Sequence, residues 1–256
     1  ITMLMADLRG FTSLSERLPP QRVVAMLNRY LAAMVKVIKQ YGGTIDEFIG
    51  DATFVLFGAP VWKEDDAQRA VACAVAMQQA MTSVNEQNEA EDLPDLEMGI
   101  GIHTGPVVVG NIGSPERMKY GVVGSHVNLA SRIQSCTTGG QILVSEATRR
   151  EVGQMLKIGR QTEIRAKGFE QPVTVSEVLG IGGRHKHSLA QPRETLVALA
   201  AEVLVSYSIA DGIRFNGEVL KGSLTKLCAK RAEVRLEAPV PIFSNMEMLL
   251  TDPEGK

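Results

Sequence analysis

Cysteine is scarce in this 256-residue chain: Cys73, Cys136 and Cys228 show neither metal-ligand spacing nor an even-numbered framework. That excludes a disulfide-stapled secreted scaffold and points to a reducing, cytoplasmic setting, with the thiols packing as small hydrophobes. Charge of one sign is lacking too. The formal net charge is -2, so the basic stripe expected of a nucleic-acid binder is missing and no nucleic-acid partner is expected. No apolar run approaches the ~20 residues that span a bilayer, so no membrane contact is expected within this stretch. Internal repeats and low-complexity segments are also missing. The chain opens on Ile1 without an initiator Met, already inside a strand pattern. It therefore reads as a fragment of something longer, whose sensor would precede Ile1 and whose parent could be membrane-anchored.

What is present is enough hydrophobic sequence, 45% of residues, to bury a sizeable core. Pro19-Pro20 opens a helix to about Tyr41, with Val23, Met26, Leu27, Tyr30, Leu31, Met34, Val37 and Ile38 at helical spacing and Gly42-Gly43 closing it. A second helix is predicted from about Asp65 to Glu89. Glu97 to His103 alternates as a strand, turns at Thr104-Gly105-Pro106 and is expected to form a hairpin with Val107 to Ile112. After a loop come a helix from Ser125 to Cys136, a strand from Gln141 to Val144, a short helix from Glu146 to Val152 and a strand from Gln171 to Leu179. Strands and helices mix without strict alternation, which predicts an α+β fold. Composition changes near Gly180–His187, giving a domain over residues 1–180, a linker over 181–192 and a small β-rich domain over 193–256.

Two of the early strands each deliver a carboxylate near a glycine turn. Thr2 to Ala6 runs into Asp7, followed by Leu8-Arg9-Gly10-Phe11-Thr12. Thr44 to Ile49 turns at Gly50-Asp51 into Ala52 to Phe57. Hard divalent cations take oxygen ligands, and two convergent aspartates are a common way of holding them.

These residues resemble the class III nucleotide cyclase catalytic domain over roughly residues 1–180. Asp7-Leu8-Arg9-Gly10-Phe11-Thr12 is similar to the first metal motif and Gly50-Asp51-Ala52 to the second. Gly101-Ile102-His103-Thr104-Gly105 resembles the central hairpin. Gly124-Ser125-His126-Val127-Asn128-Leu129-Ala130-Ser131-Arg132 resembles the signature carrying the transition-state residues, and Lys167-Gly168 the late phosphate-binding motif. Alone, a Gly-Asp turn is usually just a turn, a helical Arg a surface charge, and an Asn one turn into a helix a cap or packing residue. The ordered set is what carries the resemblance. His103, with no metal partner spaced for it, reads as structural.

The resemblance implies a ferredoxin-like, palm-type mixed sheet flanked by helices. It implies two Mg2+ or Mn2+ ions held by Asp7, Asp51 and the Leu8 carbonyl, and phosphates cradled by amides of Gly10, Phe11 and Thr12. Arg132 would meet charge building on the α-phosphoryl group, Asn128 would hold the ribose, and Lys167 and Arg117 would reach the terminal phosphates. Glu47 and Gly121 occupy the purine-reading positions. Guanine presents N1–H and N2–H donors that a carboxylate can accept, whereas adenine presents a lone pair at N1, and leaving Glu47 unpaired would cost roughly 2 kcal/mol or more. GTP is therefore expected over ATP; a surface pairing of Glu47 with a neighbour such as Lys63 is the alternative. Both complete residue sets lie in one domain, which implies a head-to-tail homodimer with sites shared between chains. The rival readings are an adenylate cyclase and a non-catalytic nucleotide-sensing dimerisation module. A diguanylate cyclase is more distant: Gly42-Gly43 matches part of that signature, but the Asn128–Arg132 motif has no place in it. The tail shares a distant resemblance with PilZ-type β domains but lacks their paired arginines and Asp-x-Ser-x-x-Gly motif, so cyclic di-GMP binding is not expected.

Overall fold

Strand β1 (Thr2–Leu8) sends successive side chains to opposite faces, and both faces are covered. That is why it reads as a continuous apolar run rather than an alternating one. The computed structural model describes residues 1–164, 172–189, 196–211, 214–215, 219–228, 232–240, 244 and 246–250. The chain divides into two compact units, Ile1–Leu189 and Ala190–Lys256.

In the first unit β1 is followed by α1 (Phe11–Arg17), α2 (Pro20–Gln40), β2 (Thr44–Ile49), β3 (Ala52–Phe57) and α3 (Asp66–Glu89). Then come β4 (Met98–Thr104), β5 (Val108–Ser114), β6 (Arg117–Val123), α4 (Ser125–Ser135), β7 (Ile142–Ser145) and α5 (Glu146–Val152). The unit ends with β8 (Leu156–Ile164), β9 (Val173–Ile181) and the short β10 (His187–Ser188). The main sheet is mixed. β2, β3, β1 and β4 are antiparallel neighbours in that order, β4 pairs with β7 in parallel, and β9 pairs antiparallel with β7, β8 and β10.

On one face, Leu4, Ala6 and Leu8 of β1 and Met98, Ile100 and Ile102 of β4 pack against α2 and α3. Helix α2 starts with proline in its first turn, where no intrahelical donor is lost. It buries Met26, Tyr30, Met34, Val37 and Ile38, and it ends at Gly42, whose φ of 67° suits a residue without Cβ. Arg69 of α3 seals that end: it pairs with Asp65 and Asp66 and donates to the carbonyls of Tyr41 and Gly42.

The other face is covered by α4. Here β4 carries Gly99 and Gly101 in place of large side chains. A Cβ at Gly101 would collide with the backbone of Gln134, so the glycine lets the helix lie directly on the sheet. His103, two residues on, donates or accepts at both ring nitrogens, 2.7 Å from Ser145 Oγ and 2.7 Å from His126 Nδ1 at the start of α4. Burial, with His126 beside it, pushes its pKa down to about 4.

Several expectations need correction. Strand β4 does not form a hairpin with β5: both of its edges are occupied, by β1 and β7. β5 pairs instead with β6, from residues expected to be loop, making a separate two-stranded arm. In β6 the run Arg117-Met118-Lys119-Tyr120 alternates polar and apolar as a strand does, a signal the loop reading missed, although those side chains are all exposed. Residues 182–189 are not a free linker. β10 pairs back onto Gly180 and Ile181, and Gly180 is glycine because the His187 and Ser188 backbone passes too close for a Cβ. The strand β8 and the short helix α1 were not foreseen.

In the second unit β11 (Val197–Asp211) pairs with β12 (Arg214–Phe215), β13 (Leu220–Leu227) and β15 (Met246–Leu250), and β13 pairs with β14 (Ala232–Leu236). All of these pairings are antiparallel, and Val205, Tyr207 and Leu224 are buried.

Gly101→Ala is expected to destabilise the first unit by about 1–3 kcal/mol through overpacking against α4. Denaturant unfolding measures this, and an unchanged midpoint would mean that α4 does not lie on the glycine.

Candidate active site

The register of β1 against β3 sets Ala6 opposite Thr53. The end of β1 therefore lies beside the β2–β3 turn, where Gly50 adopts φ 65° and Asp51 follows. The Leu8 amide donates to Asp51 Oδ2 at 3.2 Å, which holds the second carboxylate against the strand that carries the first. Asp7 is pushed up to about 6, first by burial and then by the hydrogen bond and negative charge of Asp51; Arg9 and Gln134 act the other way. Two carboxylates that share a pocket and repel one another make a donor set that a hard dication would relieve. Among the described residues no group of three or more His, Cys, Asp or Glu forms a metal cluster. Further ligands would come from backbone, water or a substrate's phosphates, in keeping with the coordination of Mg2+. The residues present therefore fit such an ion.

A cavity of about 210 Å³ opens beside the pair, lined by Asp7, Ile49, Thr53 and Phe54 from the strands and by Ser131 and Gln134 from α4. Gly10, with φ 68°, turns the chain out of β1 into α1, whose first-turn amides include Phe11 and Thr12. The first amides of a helix have no intrahelical acceptor and are free for an anion.

Arg9 is a functional candidate that the sequence reading passed over. Its Nη2 donates to the Gln134 carbonyl at 2.7 Å and to Thr137 Oγ1 at 2.5 Å, tying the carboxylate turn to the C-terminal end of α4. Gly99 leaves the space it fills. Burial pulls its pKa down, while Asp7 opposes the shift. A charged residue directly after an apolar strand was the available signal.

Asn128 and Arg132 stand one turn apart on α4 and are both exposed, while Leu129, Ala130, Ile133 and Gln134 of the same helix are buried. Helical periodicity thus turns the two predicted transition-state residues to solvent.

The positions expected to read the purine form a third group. Glu47 on β2 pairs with Lys119 on β6 at 2.9 Å, not with Lys63. Gly121 lies two residues beyond Lys119 on the same strand, facing Asp46. Lys119 would have been found by period-2 reasoning had β6 been read as a strand. Arg117 sits at the far end of that strand, where the arm turns, and is exposed. Lys167 lies outside the described residues.

Comparison with known proteins matches residues 1–177 to the adenylate and guanylate cyclase catalytic domain. The chain is 34% identical over 183 residues to adenylate cyclase 1 of Rhizobium meliloti (strain 1021), covering 71% of this chain and 28% of that protein. It spans about a third of the length of the curated relatives it matches. Among solved structures it resembles the guanylyl cyclase Cya2, with 53% identity and a TM-score of 0.72 over 74% of this chain and 96% of that one. The adenylyl cyclase CyaB from P. aeruginosa is similar at 38% identity and a TM-score of 0.68, over 73% and 96%.

Because Asp7 titrates higher in the folded chain than its ordinary value, the folded state binds more protons than the unfolded state between about pH 4 and 6. Stability of the metal-free chain should therefore fall as pH rises through that window. Asp7→Asn should flatten this slope and raise the melting temperature near about pH 7.5 in chelator. Melting curves against pH test it, and an unchanged slope would mean the carboxylate repulsion is not carried by Asp7.

Proposed function

We propose that this chain, which belongs to the adenylate and guanylate cyclase catalytic-domain family, converts GTP to cyclic GMP and pyrophosphate for second-messenger signalling. The observation that carries the choice of GTP is the Glu47 carboxylate on β2, half-exposed and paired with Lys119 two residues before Gly121, at the positions expected to read the purine. Glu47 accepts from guanine N1–H and N2–H, and Gly121 adds no side chain that would accept from an adenine amino group. The 53% identity to a solved guanylyl cyclase supports this reading. ATP as substrate, giving cyclic AMP, is the second reading, and it is favoured by the curated relatives named adenylate cyclases.

In the proposed reaction the ribose 3′-oxygen attacks the α-phosphorus and pyrophosphate leaves. Asp7, Asp51 and the Leu8 carbonyl would hold two Mg2+ or Mn2+ ions, which would lower the pKa of the attacking hydroxyl and offset the leaving charge. Asn128 hydrogen-bonds the ribose and sets the line of attack. Arg132 offers a permanently charged, planar donor to the α-phosphoryl oxygens as their charge grows. First-turn amides at Gly10, Phe11 and Thr12 receive phosphate oxygens, and Lys167, with Arg117, grips the terminal phosphates.

The working unit is a head-to-tail homodimer in which Asp7 and Asp51 of one chain face Glu47, Asn128 and Arg132 of another. Two features support it. Asn128 and Arg132 lie on the solvent face of α4, and Phe48, Ile49, Val108, Met118, Tyr120 and Val123 expose apolar area along the β2 end and the β5–β6 arm. The second unit is proposed as a degenerate PilZ-like docking or regulatory module. No helix among the described residues is long and apolar enough to cross a membrane, and a cytoplasmic site of action is part of the proposal.

Asp51→Asn and Arg132→Ala chains should each lose activity by about a hundredfold or more. Mixed together they should regain one working site per heterodimer; no rescue on mixing would sink the shared-site arrangement. In the combined Glu47→Lys, Gly121→Asp variant, the GTP-to-ATP ratio of kcat/KM should shift towards ATP by at least about tenfold. An unchanged ratio would remove Glu47 from base reading.

A further inference from the structure

Asp46 and Glu47 are adjacent on β2, and a regular strand would send them to opposite faces. Both instead meet one ammonium group: Lys119 Nζ lies 2.9 Å from Glu47 Oε2 and 3.5 Å from Asp46 Oδ2. The cause is an irregularity of the β2–β3 pairing between Ile45 and Glu47, which leaves Asp46 as the extra residue. Such a bulge re-aims the side chain it carries.

The two carboxylates are not equivalent. The Asp46 side chain keeps 6% of its exposure and the Glu47 side chain 49%. Asp46 Oδ1 is buried and has no hydrogen-bond partner among the described residues. Opposite it is Gly121, where a Cβ would stand 3.6 Å from that oxygen. Asp46 is thus a buried, poorly satisfied acceptor in the wall of the purine-reading group, and Glu47 is the exposed one.

This asymmetry matters because Glu47 cannot serve two donors equally well. To accept from guanine N1–H and N2–H it must loosen its contact with Lys119. Without another carboxylate, the ammonium would either stay on Glu47 and compete with the base or be left beside the site unpaired, and both weaken binding. We propose that Asp46 is a positioning residue for base reading: it retains Lys119 when Glu47 turns to the purine, so the exchange of partners leaves no charge alone. The inference rests on the reading of Glu47 as the guanine acceptor.

The test is steady-state cyclase kinetics of the full chain with GTP and with ATP. Asp46→Asn keeps the shape and removes the charge. It should raise the KM for GTP about tenfold, a factor corresponding to one weakened charge-assisted contact, while kcat stays within about twofold and the KM for ATP is unchanged. In a Lys119→Met background the same substitution should have no further effect on KM, because there is no ammonium left to hold. Thermal melting checks the fold, and if Asp46→Asn does not fold, Asp46→Ser takes its place with the same expected pattern. An unchanged KM for GTP would overturn the proposal. So would equal losses for GTP and ATP, or an undiminished effect in the Lys119→Met background. Glu47→Gln separates this from the reading beneath it. If Glu47→Gln leaves the KM for GTP untouched, base reading by Glu47 fails. If Glu47→Gln raises it and Asp46→Asn does not, only the role of Asp46 fails.

Discussion

Two negative side chains held against each other at the end of β1 are the constraint around which the first unit is arranged. Asp7 and Asp51 come from strands that are antiparallel neighbours, and their closeness follows from the β1–β3 register and the tight turn at Gly50. Left alone, like charges in a partly buried pocket would push the turn open. The Leu8 amide on Asp51, and Arg9 and Gln134 near Asp7, oppose that. The strands cannot drift, because both faces of β1 are covered, by α2 and α3 on one side and by α4 on the other. A rigid sheet therefore presents a repulsive pair that favours a cation.

The same packing decides where Asn128 and Arg132, the residues proposed to act on the ribose and the α-phosphate, lie. Gly101 brings α4 down onto β4, and Arg9, in the space left by Gly99, ties the C-terminal end of α4 to the carboxylate turn. With that side of the helix buried, helical geometry leaves Asn128 and Arg132 facing solvent. The exposure of these two residues is the physical basis for proposing that a second chain supplies the face opposite them.

Much of this was legible in the sequence. The apolar spacing in α2 and the Gly42 stop gave that helix nearly to the residue, and the Asp7 and Gly50-Asp51 motifs marked the carboxylate pair. Less legible were segments whose state depends on distant partners. β6 alternates polar and apolar from Arg117 to Tyr120, but its arm buries almost none of those side chains; taken for a loop, it hid Lys119. The glycines near position 180 signalled a linker by composition, yet Gly180 is small because another strand crosses it. β4 alternates as a hairpin strand would, but both of its edges were already taken.

The sequence by itself determined the α+β character, the long helices, the two aspartates and the adjacent carboxylates of β2. These depend on residue type and on spacing along the chain, which local propensity and periodicity read directly. Tertiary structure alone decided strand partners, the Arg9 link to α4 and the pairing of Lys119 with both Asp46 and Glu47. Each of these joins residues far apart in the chain, and the last depends on a single-residue bulge that reverses the facing of one side chain. No local pattern encodes such a reversal, because it arises only when two strands are laid side by side.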